Sequence, residues 1–319
     1  MSTLIYDEKY RSRAASGTHR TRPGRPNVRL FEGEAWLVGI GALGLLLAAG
    51  CAVWMLLYGS AVGAEGRISD AFSFNAALGV FILSTAAILP YSGMRARGRA
   101  VFRRAYIALA LYSYAAENIQ HFRGVNPRFA KNGTVFDETV GILFALVALL
   151  LVVFYTVLAV QFFRRRSLEL HPKLVTGIRY AMIAVLFSFA AGIWISMNQG
   201  RLVGEHGNIM WLHGLGFHAL QAVPVVAWLA ERTTLTDRAR STLIHVTGAA
   251  YVLGLAAIGW QTYLGRPILE WSVWPVAAGL CFLAALAAGG LALRKAILDA
   301  GKSSPHISSY EAQYCRRSI

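Results

Sequence analysis

The sequence predicts an all-α membrane protein, a bundle of eight transmembrane helices with both termini in the cytoplasm. Three observations lead to this fold class. The 319-residue chain is 56% hydrophobic and only 15% charged, whereas a soluble domain usually carries about 25% charged residues. Eight apolar segments are long enough to cross a bilayer. The positive charges fall mainly in alternate connections between those segments, as the loops of a membrane protein require.

The chain divides into a membrane domain, residues 35–296, and two polar tails. Residues 1–34 contain seven lysines and arginines and two prolines, which is typical of a disordered basic tail lying on anionic lipid headgroups. Residues 297–319 are expected to form a second cytoplasmic tail. The eight segments are expected near residues 36–58, 72–92, 102–121, 139–163, 175–198, 209–229, 243–263 and 272–293.

The distribution of charge supports eight spans. With eight spans, the loops on the side of the termini contain 25 of the 31 lysines and arginines, and the opposite side contains the other six. This asymmetry is what the positive-inside rule predicts for cytoplasmic termini. The net charge of +15 therefore reflects topology, and nucleic acid is not an expected partner. The expected partners are the lipid bilayer and other membrane proteins.

Three segments end on the predicted outer side with glutamine, glycine and arginine. Ordinary helix C-caps explain the glycines and the arginines, but not an amide or acid just before each cap. We interpret these side chains as candidates for an outward-facing polar pocket. The candidates from the three helix ends are Gln120, Arg123, Gln199, Arg201 and Gln261.

The third segment also carries Glu117 and His121, four residues apart and therefore on one helix face. A carboxylate at membrane depth must be paired or protonated. The spacing allows a carboxylate–imidazole hydrogen bond, an ion pair that only fixes helix packing, or two metal ligands on successive turns. The sequence leaves these alternatives open.

The sixth segment places His213, His218 and Gln221 on one broad face. Counted from the outer end, the two histidines lie roughly 8 Å and 15 Å deep at 1.5 Å per residue. Polar side chains at such depth are expected to have a function. We therefore expect His213 to face Glu117 or His121 inside the pocket.

A weak internal repeat is visible in the pattern of prolines, glutamines and glycines. Pro90 precedes Gln120-x3-Gly124, and Pro224 precedes Gln261-x3-Gly265. Two four-helix halves in parallel orientation, a 4+4 repeat, would produce this pattern.

Two runs of residues resemble those of a family of bacterial multi-pass inner-membrane proteins. They are Gln120–Phe129 (QHFRGVNPRF) and His213–Pro224 (HGLGFHALQAVP). At Arg128-Phe129-Ala130 the chain departs from the His-Phe-Asn of that family, so the resemblance assigns no ligand there. It implies a bacterial inner-membrane location and brings no established activity with it.

Three functions are compatible with the sequence. The first is small-molecule or ion binding or transport through the outward-facing pocket. The second is a membrane redox protein that holds haem b or a divalent metal. The third is an accessory subunit of a larger membrane complex. The candidate ligand-binding residues are Glu117, Gln120, Arg123, Gln199, Arg201, His213, His218, Gln221 and Gln261, and the candidate metal ligands are His121, His206 and His213.

Overall fold

The computed structural model describes residues 29–131 and 133–302. The expectations for residues 1–28 and 303–319, which form most of the two tails, lie outside the described residues. The described residues contain eight long helices: α1 (Ala35–Tyr58), α2 (Ile68–Ile88), α3 (Ala96–Phe122), α4 (Val135–Phe163), α5 (Pro172–Met197), α6 (Met210–Glu231), α7 (Asp237–Tyr263) and α8 (Val273–Lys302). A 3-10 turn at Leu89–Tyr91 follows α2, and a short helix at Arg165–Leu170 precedes α5.

The chain is a polytopic membrane protein. Each of the eight predicted segments lies largely in one long helix, although the second was expected to reach residue 92 and α2 ends at Ile88. Seven of these helices, all except α3, are long and apolar enough to cross a membrane. Helix α3 differs because its first nine residues include four arginines, and because Glu117 lies within it. An arginine cluster at one end of a helix suits the headgroup region better than the hydrocarbon core.

Glycines allow the two closest helix pairs to form. Helices α1 and α2 pack as an antiparallel hairpin in which a Cβ on Gly79 would lie 2.9 Å from the carbonyl oxygen of Gly41. Helices α5 and α6 pack in the same way, where a Cβ on Gly216 would lie 2.7 Å from the Cβ of Ser188. Small residues at such contacts are how membrane helices approach one another closely.

Aromatic side chains from both halves of the chain fill the centre of the bundle. Phe81 of α2 contacts Tyr155 of α4 and Phe217 of α6, with ring centroids 4.7 Å and 4.8 Å apart. Phe189 of α5 contacts the same two partners at 5.6 Å and 5.5 Å. This cluster joins the first four helices to the last four.

Two short β-hairpins lie at the same end of the bundle, which we call the hairpin end. Strands β1 (Ala61–Val62) and β2 (Gly66–Arg67) connect α1 to α2, and strands β3 (Leu202–Val203) and β4 (Gly207–Asn208) connect α5 to α6. Both pairs are antiparallel. The first hairpin packs on the last turn of α3, and the second packs on the last turn of α7.

The contacts of the two hairpins are the same. Gly63 faces Gly124 beyond α3, and Gly204 faces Gly265 beyond α7; all four have positive φ. The amide of Glu65 donates to the carbonyl of Gly124 at 3.0 Å, as the amide of residue 206 does to the carbonyl of Gly265 at 3.1 Å. Only glycine accommodates both the close approach and the left-handed backbone at these positions.

Equivalent residues in the two halves differ by a constant number. The differences 204 − 63 and 265 − 124 are both 141, and the first and last residues of α3 and α7 also differ by 141. Gln120 and Gln261, the pair expected from the sequence, obey the same offset. The expected pairing of Pro90 with Pro224 is wrong, because Pro90 lies in the 3-10 turn after α2 whereas Pro224 lies inside α6.

At the opposite end, which we call the tail end, Glu34 connects α1 to α3. Its buried carboxylate lies 3.1 Å from Nε of Arg99 and 3.2 Å from Nη1 of Arg103. Burial raises the pKa of Glu34, and the two arginines oppose that shift.

Candidate functional site

A buried carboxylate lies near the hairpin end of α3. Glu117 is fully buried, and its Oε1 lies 3.4 Å from Nε2 of His121. Nδ1 of His121 accepts a hydrogen bond from the amide of Arg67, at 3.1 Å, so the proton of the imidazole is on Nε2 and is directed to the carboxylate. The spacing of Glu117 and His121 thus brings them into contact, which is compatible with each of the alternatives left open by the sequence. Both ring nitrogens of His121 are thus engaged.

Arg128 covers this carboxylate from the loop between α3 and α4. Its guanidinium forms an ion pair with Oε1 of Glu117, although its side chain is 37% exposed while that of Glu117 is 0% exposed. The guanidinium carbon lies 5.2 Å from the ring centroid of Phe74 and 5.5 Å from that of Phe144, within the range of cation–π attraction. Arg128 therefore separates a buried charge from the exterior of the bundle.

Hydrogen bonds to two side chains, Asn126 and Glu65, hold the loop around Arg128 in place. The side-chain oxygen of Asn126 accepts hydrogen bonds from the amides of Arg128 and Phe129, at 2.9 Å and 3.0 Å. The carboxylate of Glu65, in the first hairpin, accepts a bond from the amide of Lys131 at 3.1 Å. The loop is thus tied to the hairpin that closes α3.

One oxygen of this carboxylate has no partner in the described part of the chain. Oε2 of Glu117 is buried and makes no hydrogen bond there. Buried polar atoms are nearly always hydrogen-bonded, so one that is not requires an explanation, such as a bound water, ion or ligand. We refer to Glu117, His121 and Arg128 together as the carboxylate site.

A buried amide pair lies beside the carboxylate site. Asn75 of α2 and Asn118 of α3 exchange hydrogen bonds of 2.9 Å and 3.0 Å through their side chains. The thiol of Cys51 in α1 lies 3.5 Å from the same oxygen of Asn118. Three helices are thus joined by polar contacts next to Glu117.

Gln120, Arg123 and Gln261 connect helix ends to loops and lie outside the carboxylate site. Gln120 donates to the carboxylate of Asp137 at 2.9 Å, and Arg123 forms an ion pair with the same group at the start of α4. In the second half, Gln261 donates to the carboxylate of Glu270 at 2.9 Å. The two glutamines therefore have the same role at equivalent positions.

The residues of α6 have other partners than expected. Nδ1 of His213 lies 2.8 Å from the carbonyl oxygen of Ser188 in α5, and its ring packs on Phe217 with centroids 4.9 Å apart. No hydrogen bond or ion pair connects His213 to Glu117 or His121 in the described residues. The expectation that His213 faces one of them is not met by any polar contact.

His218 and Gln221 form a separate polar contact with α2. Nδ1 of His218 lies 3.2 Å from Oε1 of Gln221, and the amide of Gln221 donates to the hydroxyl of Ser84 at 2.6 Å. His218 is exposed on the surface of α6. The structure thus brings His218 together with Gln221, but not with His213.

The remaining candidates lie on the surface at the hairpin end. Gln199, Arg201 and His206 are exposed around the second hairpin. The described residues include no group of three or more His, Cys, Asp or Glu side chains that could hold a metal ion. The three candidate metal ligands His121, His206 and His213 therefore belong to no common cluster of that kind.

Helical spacing and cap signals in the sequence do not identify several residues in and beside the carboxylate site. Arg128, Asn75 and Asn118 act through contacts between helices or from a loop, and neither helical spacing nor cap signals indicate such contacts. The one available signal was polarity, because Asn75 and Asn118 are amides within apolar segments.

The second half builds the same backbone without these polar groups. Applying the offset of 141, Glu117 corresponds to Ile258, and His121 corresponds to Thr262, both buried in α7. Asn75 corresponds to Gly216 in α6. The closure of the hairpin over the helix is nevertheless the same in both halves. The carboxylate site is therefore not a requirement of the fold.

No family model, curated protein or solved structure matches the chain.

Proposed function

We propose that this membrane protein binds or transports a small molecule or ion, and that the carboxylate site of α3 holds this ligand. The observation that carries this proposal is the difference between the two halves. The same backbone is built around Ile258 in one half and around a buried, paired carboxylate in the other. Burying a charge is costly, so a buried carboxylate that the shared backbone does not require indicates another purpose.

The surroundings of Glu117 indicate the chemistry of the ligand. Oε1 already contacts Arg128 and His121, whereas Oε2 is available for a donor. A ligand that displaces Arg128 would meet a carboxylate and the rings of Phe74 and Phe144, a combination that favours an organic cation. We therefore propose a small ammonium or amidinium compound, with the guanidinium of Arg128 as its internal competitor.

The test compares Glu117→Gln with Glu138→Gln, an exposed carboxylate near the same end of the bundle. Methylammonium and methylguanidinium, each compared with potassium at equal ionic strength, are the probes in thermal unfolding of the purified protein. At least one probe should stabilise the wild type and Glu138→Gln but not Glu117→Gln. Stabilisation of all three proteins to the same extent would contradict the proposal, as would the absence of any effect on the wild type.

A second variant keeps the proposal testable if Glu117→Gln does not fold. Arg128→Gln leaves the carboxylate in place and removes its competitor, so the same cation should stabilise this variant at a lower concentration than it does the wild type. Unchanged or weaker stabilisation of Arg128→Gln would refute the role assigned to Arg128.

We further propose eight transmembrane spans, a 4+4 parallel repeat and a bacterial inner-membrane location with both termini cytoplasmic. The constant offset of 141 between α3 and α7 supports the repeat, and it favours α3 as an eighth span because its counterpart α7 is apolar enough to be one. Cysteines introduced at Arg97 and Glu205 in a cysteine-free background should react with an impermeant maleimide from opposite sides. Labelling of both from one side would refute eight spans.

A further inference from the structure

The first turns of α7 and the last turns of α8 enclose a groove at the tail end of the bundle. Its volume is about 640 Å³, and it is open to the surroundings. Four leucines line it: Leu235 just before α7, Leu243 of α7, and Leu291 and Leu298 of α8. Three basic side chains, Arg238, Arg294 and Lys295, also line it. The groove thus combines an apolar floor with positive charge, far along the bundle from the carboxylate site.

The positive charge of the groove is only partly compensated. Lys295 forms an ion pair with Asp299 at 3.0 Å. Within residues 29–131 and 133–302, the guanidiniums of Arg238 and Arg294 make no ion pair or hydrogen bond. The nearest acid in sequence, Asp237, pairs instead with Lys173 at 2.9 Å. No acidic side chain lines the groove itself.

The position of the groove along α8 matches the level of the lipid headgroups. Arg294 follows Val273 by 21 residues, which is about 31 Å along a helix at 1.5 Å per residue. A bilayer has a hydrocarbon core of about 30 Å. Arg294 therefore reaches the headgroup region when the start of α8 lies at the opposite interface, and Leu291 lies one turn deeper, at the level of the acyl chains.

We propose that this groove binds one anionic phospholipid. Its phosphate would lie between Arg238 and Arg294, where paired hydrogen bonds to guanidinium groups are favourable, and an acyl chain would lie on Leu243 and Leu291. Charge complementarity selects an anionic lipid, and the apolar floor selects a lipid over a soluble phosphate.

The first half of the chain offers a matched control. Arg97, the counterpart of Arg238 at the offset of 141, is likewise exposed in the first turn of α3. Helix α4, which packs on α3 as α8 packs on α7, contains no lysine or arginine. Arg97 therefore has a similar place at the membrane surface but no basic residue of α4 beside it; the arginines at 164–166 follow the end of α4.

The experiment measures lipid binding to the delipidated full-length protein by native mass spectrometry, with phosphatidylglycerol compared with phosphatidylcholine. The wild type should bind one phosphatidylglycerol in preference. Arg294→Gln and Arg238→Gln should each weaken that step roughly fivefold, as expected for one basic residue at a lipid surface. Arg97→Gln should leave it unchanged.

Three outcomes would overturn the proposal. Equal weakening by Arg97→Gln would mean general attraction of anionic headgroups to the tail end. Equal binding of the two lipids would mean that charge does not select the occupant. Thermal stabilisation by inorganic phosphate in the absence of lipid, lost in Arg294→Gln, would identify a soluble anion as the ligand.

If Arg294→Gln does not fold, Leu291→Gln serves as the second variant and should weaken binding of both lipids without removing the preference.

Discussion

Replacing Gly124 or Gly265 with alanine tests the closure shared by the two halves. Both glycines have positive φ, +80° and +69°, and a Cβ on either would lie 3.0 Å from the Cα of the facing glycine in the hairpin. An alanine in the left-handed region costs about 1–2 kcal/mol. Separating two backbones to admit the methyl group adds about 1–3 kcal/mol, the range for overpacked sites. Each variant should therefore lose about 2–5 kcal/mol of its free energy of unfolding.

Equilibrium unfolding in detergent micelles, followed by tryptophan fluorescence, measures these losses. Gly50→Ala is the matched control, because Gly50 is helical and a Cβ there meets nothing within 4 Å. It should be neutral or stabilise the protein by up to about 1 kcal/mol. If the free energy of unfolding of Gly124→Ala or Gly265→Ala were within about 1 kcal/mol of the wild-type value, the close approach of the two backbones would be refuted. A large loss at only one of the two would refute their equivalence.

Three further variants test other contacts. Asn118→Ala removes the amide partner of Asn75, whose Nδ2 keeps only its 3.7 Å contact with Sγ of Cys51, and should cost about 1–3 kcal/mol; in a double-mutant cycle the combined loss for Asn75→Ala and Asn118→Ala should be smaller than the sum of the two single losses, and strict additivity would contradict the pairing. Thr134→Ala removes the N-cap of α4, whose hydroxyl accepts from the amide of Asp137, and should lower stability by about 0.5–2 kcal/mol. Burial raises the pKa of Glu34 above 4.5, so the folded state binds the proton more tightly than the unfolded state. The free energy of unfolding should therefore fall as pH rises from about 4.5 through the raised pKa of Glu34. Glu34→Gln should weaken the dependence of the melting temperature on pH over that range. An unchanged dependence would exclude Glu34 as its cause.

The helices could be predicted from sequence because bilayer length and apolar composition are local properties. Each predicted segment lies largely in one long helix, and the boundaries differ mainly where polar residues extend a helix beyond the apolar run. Helix α3 shows this, since it begins at Ala96 although the apolar run begins near residue 102. The length of an apolar run does not show how far the helix continues into the polar residues beside it. The helical conformation of the four arginines in the first turns of α3 therefore could not be predicted from composition.

The partners of the polar residues could be predicted only within one helix. The spacing of Glu117 and His121 fixes their angle about the axis of α3, and their contact followed from it. The same reasoning placed His213, His218 and Gln221 on one broad face of α6. That face is wide enough for His213 to point to α5 and for Gln221 to point to α2. Which neighbouring helix a residue meets depends on packing, which is decided by glycines such as Gly216 and not by the polar pattern.

The repeat provides a comparison within a single chain. Where both halves keep a residue in the same contact, as with Gln120 and Gln261, the shared closure of the fold is a sufficient explanation. Where one half keeps a buried charge and the other has Ile258 at the same place, the fold is not a sufficient explanation. The polar residues that seemed equivalent in the sequence thus separate into two groups. The glutamines before the caps stabilise the closure that both halves share. Glu117 and its ion-pair partner Arg128 are specific to the first half, and the shared fold does not explain them.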